Sequence, residues 1–253
     1  MSEKMEDAYC FHKRFEPSGP KEFQTEQHYL LYSLEGTLRL EALGKRWTLP
    51  PARAALIRAG HPIQISVLSN ATTASVLFPY SVIDMPPDVL TVFDMTPLAR
   101  ELVTECRNWG QEAHPLSPYA QGIFKTLGSV VSRLAQTPSR CVLPAPKSPG
   151  LAKAVALTEE RFDQALTFEA IAKLCGQSPR ALARRFANEM GMTWTQTLAR
   201  IRIIQAIERL AMSQASITEI ALSVGYNSLS GFNAAFRDLT DMTPSQYRAS
   251  FYS

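Results

Sequence analysis

Between Tyr29 and Tyr80 the apolar positions fall in short β-prone runs such as YLLYSLEG, TLRLEAL and KRWTL. Turn signals at Glu35-Gly36, Gly44-Lys45, Pro50-Pro51 and Gly60-His61-Pro62 separate them. Short strands with turns every 8 to 12 residues or so predict an antiparallel sandwich or barrel. Residues 1–27 are polar and read as a loose lead-in with short strands. From Pro97 the period changes to that of a helix. Leu98, Leu102, Val103 and Cys106 share one face of a helix that starts at Pro97, with Gly110 placed to end it. A second helix, 118–136, carries the stripe Ile123, Leu127, Val130, Val131 and Leu134. Two such helices either pack on a second copy of the chain or cover a sheet face of their own subunit. The stretch TPSRCVLPAPKSPG, 137–150, has four prolines and no periodicity, and reads as a stiff linker. The chain is helical from there almost to its end.

Within that helical part a pattern occurs twice. Ile171, Ala172 and Gly176 recur as Ile220, Ala221 and Gly225, 49 residues on. Ser178, Phe186, Met192, Thr193 and Gln196 recur as Ser228, Phe236, Met242, Thr243 and Gln246, 50 residues on. A repeat spanning a turn, a core and the next helix start points to a duplicated unit. Each copy reads as a helix-turn-helix. In the first, Thr167 caps a helix bearing Ile171 and the small Ala172, where a second helix crosses closely. Gly176 supplies the left-handed turn, and Ser178-Pro179 opens the second helix. Leu182, Phe186 and Met190 point inward. Arg180, Ala183, Arg184 and Arg185 are left outside, where arginine can meet guanine edges or phosphates.

In the second copy Ser216 and Glu219 form a capping box, and Ser228 caps the helix that follows. Phe232, Phe236 and Leu239 point inward, leaving Leu229, Ser230, Asn233, Ala234 and Arg237 for a groove. Asn233 suits adenine and Leu229 a thymine methyl. Thr193 and Thr243 each open a further T-x-x-Q capping box whose first-turn N–H groups suit a phosphate. The helix expected over 194–212 would be about 28 Å long. That is close to the ~34 Å between successive major-groove segments on one face of DNA.

Composition restricts the picture without deciding it. Net charge is only +3, and the last 103 residues hold 11 Lys+Arg against 9 Asp+Glu, so any DNA-binding face must be a local patch. The four cysteines are scattered, which argues against a zinc ribbon or a disulfide scaffold and for reduced, partly buried thiols. The N-terminus lacks an apolar secretory core, and no run of about 18 apolar residues occurs. A cytoplasmic chain is expected, with no membrane partner.

The run ITEIALSVGYNSLSGFNAAFRDLTDMTPSQYR, 217–248, closely resembles the C-terminal signature of the AraC/XylS family of bacterial transcription regulators. The likeness is strong over about 100 residues. It extends weakly to the N-terminal part, which is similar to that family's cupin-type sensor. It implies an α+β chain: a cupin-like antiparallel barrel with two trailing helices over 1–136, a linker over 137–150, and a DNA-binding domain over 151–253 with two helix-turn-helix units joined by a connector helix. It places Arg180, Ala183 and Arg184, and Leu229, Ser230, Asn233 and Ala234, at base-reading positions. The alanines depart from the longer polar residues often found there. Positions where cupins hold a metal carry Phe23, Thr25 and Ile63 here, so no metal or other cofactor is expected, and His28 and His61 read as structural or pocket-lining.

The implied function is a sequence-specific DNA-binding regulator controlled by a small-molecule effector in the barrel, with Tyr32, Trp47, His61 and Phe78 as candidate lining or plain core. The implied partners are double-stranded DNA, a second copy through 97–136, and RNA polymerase. Two other readings stand beside it: a regulator controlled by abundance or a partner protein, and a cupin enzyme with a DNA-binding tail.

Overall fold

A computed structural model describes residues 7–51 and 53–252. The chain divides into two compact units. One takes residues 7–42, 48–139 and 250–252, and the other takes 43–47 and 140–249. Together they give a mixed α+β architecture with β-sheets toward the N-terminus and helices toward the C-terminus.

The strands are β1 (Tyr9–Phe15), β2 (Ser18–Phe23), β3 (His28–Glu35), β4 (Leu38–Ala42), β5 (Lys45–Leu49), β6 (Arg53–Ile57), β7 (Ile63–Val67), β8 (Ala71–Phe78), β9 (Leu90–Asp94) and β10 (Val142–Pro144). They form two five-stranded sheets, ordered β1-β8-β3-β6-β9 and β10-β5-β4-β7-β2. The lead-in therefore belongs to the sheets: β1 pairs with β8, and β2 with β7. Strand β9 lies beyond the β-rich stretch that the sequence marks off at Tyr80. The proline-rich stretch is not free of regular structure, since Val142 pairs with Trp47 and Pro144 with Lys45.

Alternation along β3 assigns the two faces of the first sheet. Leu30 and Tyr32 join a core with Leu56, Val76, Phe78 and Phe93. Tyr29 and Leu31 point the other way, into a cavity shared with the second sheet. The outer core is closed by α1 (Pro97–Cys106) and α2 (Pro118–Ala135), whose Val103, Phe124, Leu127 and Val131 are buried in it. Each such side chain contributes about 2 kcal/mol by leaving water. The two helices thus cover a sheet of their own chain. Leu98 does not share the buried face, being 54% exposed. Helix α1 also stops at Cys106, short of Gly110, where Arg107 takes the C-cap. The thiols of Cys10, Cys106 and Cys141 are buried and that of Cys175 is half-buried, and none is in a disulfide among the described residues. Burial pushes the Cys10 thiol up to about 12, against the counter-pull of Arg107, so it stays protonated and unreactive.

The second unit holds α3 (Pro149–Glu160), α4 (Phe168–Leu174), α5 (Pro179–Arg185), a π-helical segment (Phe186–Met190), α6 (Trp194–Met212), α7 (Ile217–Ser223), α8 (Leu229–Thr240) and α9 (Pro244–Tyr252) up to residue 249. Helix α6 occupies the span expected for the connector. Ile201, Ile203, Ile204, Ala206, Ile207 and Leu210 are buried on more than one side, which marks it as the central helix.

Candidate nucleic-acid interface

Two helical hairpins, α4–α5 and α7–α8, are built the same way. In each, a hydroxyl satisfies an otherwise unpaired N–H at the first helix start. Thr167 accepts from Ala170 N at 3.2 Å, and Ser216 from Glu219 N at 3.1 Å. In each, the carbonyl of the small crossing residue accepts from the residue after the glycine. Gln177 N donates to Ala172 O and Tyr226 N to Ala221 O, both at 3.0 Å. The glycines take positive φ, +65° at Gly176 and +88° at Gly225. Ser178 then caps α5 through Ala181 N, and Ser228 caps α8 through Gly231 N.

The inward sets are Leu182, Phe186 and Met190 in the first hairpin and Phe232, Phe236 and Leu239 in the second, all buried. Their spacing differs. Three residues at intervals of four drift by about 40° per step on an ideal α-helix. The π segment absorbs that drift and keeps Phe186 and Met190 facing in. The 4-3 spacing of the second hairpin needs no such adjustment, and α8 is α-helical throughout.

On the outer faces Ser178, Arg180, Ala183, Arg184 and Arg185 are exposed, as are Ser228, Leu229, Ser230, Asn233 and Arg237. Thr193 is exposed and Thr243 half-buried. Both T-x-x-Q boxes are formed: Gln196 Oε1 accepts from Thr193 N at 2.8 Å, and Gln246 Oε1 from Thr243 N at 2.9 Å. The first hairpin presents three guanidinium groups. The second presents Arg237 alone, with Asp238 and Asp241 close by in sequence.

The proline-rich stretch grips this unit at points that no sequence pattern announced. Arg200 on α6 donates from Nη1 to Arg140 O at 3.0 Å and to Val142 O at 2.8 Å. The Cys141 thiol reaches Leu239 O, and Arg140 pairs with Asp241 at 3.2 Å, both at the end of α8. Glu189, in the π segment, accepts from Lys147 N at 3.0 Å, Ser148 N at 2.7 Å and Ser148 Oγ at 2.7 Å. Desolvation pushes the Glu189 carboxyl up, but these hydrogen bonds and Arg185 outweigh it and hold the carboxyl below its ordinary range.

The candidate effector residues do not come together. Tyr32 and Phe78 lie in the core under α1 and α2, Trp47 is buried on β5, and His61 is exposed. None of the four lines the cavity of about 430 Å³ between the sheets. Tyr32 and Phe78 fall on the opposite face of their strands from Tyr29 and Thr73, which do line it. Phe11, Lys13 and Phe23, from the supposed lead-in, complete its walls. His28 is buried, and its Nδ1 accepts the Ala59 N–H at 3.2 Å. Burial and the Arg58 charge lower its pKa, so the ring is held neutral. His61 Nδ1 meets Ala59 O at 3.0 Å. Both histidines are thus tied to one backbone segment. Among the described residues, no three His, Cys, Asp or Glu side chains gather as a metal site, and no helix is long and apolar enough to cross a membrane.

Comparison with known proteins agrees with the hairpin geometry. Residues 171–250 match a family described as a helix-turn-helix domain. The HTH-type transcriptional regulator NimR of Escherichia coli is 24% identical over 248 residues, spanning 96% of this chain and 87% of that protein. GlxA of Rhizobium meliloti, also an HTH-type transcriptional regulator, is 35% identical over 100 residues, which is 40% of this chain and 31% of that protein. The regulatory protein SoxS of Escherichia coli is 33% identical over 94 residues, covering 37% of this chain and 88% of that protein. These relatives are regulators rather than enzymes, and the chain belongs to the AraC family of DNA-binding transcriptional regulators.

Proposed function

We propose that both hairpins are DNA-reading helix-turn-helix units and that the protein is a sequence-specific regulator gripping two adjacent major-groove segments. One observation carries this reading: two hairpins with the same caps and turn each leave a row of exposed side chains on the second helix. Arg180, Arg184 and Arg185 supply most of the affinity through phosphates and guanine edges, with Ser178 and Thr193 at the backbone. Leu229, Ser230 and Asn233 adjust register and specificity, with Ser228, Arg237 and Thr243 beside them. Ala183 permits close approach without its own hydrogen bond. Helix α6, about 28 Å long, spaces the two units.

The two-sheet N-terminal part, 1–136, acts in this reading as a cupin-like sensor for a small-molecule effector, with 137–150 as the linker and 151–253 as the DNA-binding domain. A cytoplasmic homodimer contacting RNA polymerase completes the picture. Since the apolar faces of α1 and α2 are covered by their own sheet, a second copy would rest on exposed groups such as Leu98 and Tyr119. Sedimentation at micromolar concentration tests the dimer, and a monomer there rejects it.

In vitro selection of bound duplexes followed by footprinting tests the central claim. Two protected major-groove segments about one helical turn apart are expected. Protection of a single segment, or equal affinity for scrambled DNA, rejects the two-unit grip.

A further inference from the structure

The cavity between the sheets has an uneven chemistry. Its walls are rings and aliphatic chains: Phe23 lies 4.9 Å from Tyr29 between ring centroids, with Leu31 and Leu38 alongside. The Tyr29 hydroxyl is already satisfied by Ser75 Oγ at 2.7 Å. Thr73 is different. It lines the cavity, is 1% exposed, and its Oγ1 has no hydrogen-bond partner among the described residues. A buried hydroxyl without a partner is destabilising, so its persistence calls for an explanation. Thr73 stands directly opposite Lys13 in the β1–β8 register. Lys13 also lines the cavity and rests its ammonium 5.3 Å from the centre of the Phe15 ring, a contact that an anion would readily displace. Lys21 and Glu22 lie at the exposed rim, leaving the lining with one net positive charge.

We propose that this cavity binds a small organic acid with a flat apolar body, its carboxylate accepting from Thr73 Oγ1 and pairing with Lys13, its body against Phe23 and Tyr29. A polyhydroxylated ligand fits poorly, because the walls offer it few polar partners. A cation meets a lining of one net positive charge, two ammonium groups against the Glu22 carboxylate. The proposal deepens the effector reading given above and rests on it only for the regulatory role of the bound acid.

Titration calorimetry on the full-length chain tests it, using benzoate, 2-naphthoate and 4-biphenylcarboxylate, each beside its neutral amide. At least one acid should bind one to one and at least tenfold tighter than its amide. Lys13→Met should remove that preference while leaving the amide unchanged. Thr73→Val should weaken the acid at least fivefold, and Thr73→Ser should restore it. Lys13 is exposed, so its variant should fold normally and keep the test sharp. No binding by any acid, equal affinity for acid and amide, or a preference that survives both Lys13→Met and Thr73→Val overturns the site. Gel shifts on the same preparations separate the two claims. Acid binding as expected with unchanged DNA affinity upholds the site and rejects its role as effector control.

Discussion

Gly176 and Gly225 occupy the same place in their hairpins, yet they answer to different constraints. Both need the left-handed backbone that the turn requires. Around Gly176 nothing lies within 4 Å of where a side chain would begin. At Gly225 an added Cβ would meet Phe162 O and Arg202 Nη2, each at 2.8 Å. Arg202 on α6 explains this. Its Nε donates to Phe162 O at 2.8 Å, its Nη2 to Gln164 O at 3.1 Å, and its guanidinium lies 5.6 Å from the Tyr226 ring. The second hairpin is therefore wedged into the unit through its turn. The first is held at its far end, where Glu189 receives the stretch before α3. The two copies differ in how tightly the turn glycine is packed, and the copy with the open turn carries the basic face.

The sharpest way to break the comparison is at these glycines. Gly225→Ala should destabilise the protein by about 4 kcal/mol, the sum of left-handed strain and overpacking against a backbone carbonyl. Gly176→Ala should cost only about 1–2 kcal/mol, from strain alone. Denaturation followed by tryptophan fluorescence and far-UV circular dichroism measures both, and equal losses would mean that the two turns are not differently packed.

At the outer faces, Arg184→Ala should weaken specific DNA binding by about 1–3 kcal/mol and lower the salt slope by about one phosphate. Asn233→Ala should relax sequence preference with no change in that slope. Matching slopes for the two variants would erase the division between affinity and register.

Glu189 gives a smaller effect with a defined pH window. Its carboxyl is held below the usual range in the folded chain, so its contribution is complete above the unfolded-state value. That contribution is lost as pH falls through the lower folded value. Glu189→Gln should remove about 1 kcal/mol at neutral pH and flatten the acid limb of the stability curve between those values. An unchanged acid limb would assign that limb to other carboxylates. Weakest of all, Arg140→Ala should shift stability by less than ~0.5 kcal/mol, because its pair with Asp241 is exposed on both sides. A larger loss would show that this pair holds the end of α8.

The helical half was legible because its punctuation is local. Ser178, Thr193, Ser216 and Ser228 cap helices through bonds reaching three residues ahead, a range that sequence displays. The interior of the sheets was not. Strand β8 is buried on both faces and β3 over most of its length, so apolar alternation vanishes and Tyr32 and Phe78 carry no mark of which way they point. Strand β1 hid for the opposite reason, since Lys13 interrupts its apolar face at the cavity. The π segment left only a faint trace, the steady four-residue spacing of Leu182, Phe186 and Met190. The contacts of Arg200 and Glu189 join residues about 40 to 60 positions apart, beyond any local signal.

Those last contacts bear on where the DNA-binding part can be cut out and handled as a fragment. A piece beginning at Leu151, where composition first looks uniformly helical, would discard the backbone that Arg200 and Glu189 hold. It would leave the Arg200 guanidinium on α6 and the Glu189 carboxylate in the π segment without those hydrogen-bond partners. A piece beginning at Arg140 keeps both. Fusions that splice a foreign sensor onto this chain should therefore join upstream of Arg140, treating the ten residues that follow as part of the reading head and not as exchangeable tether.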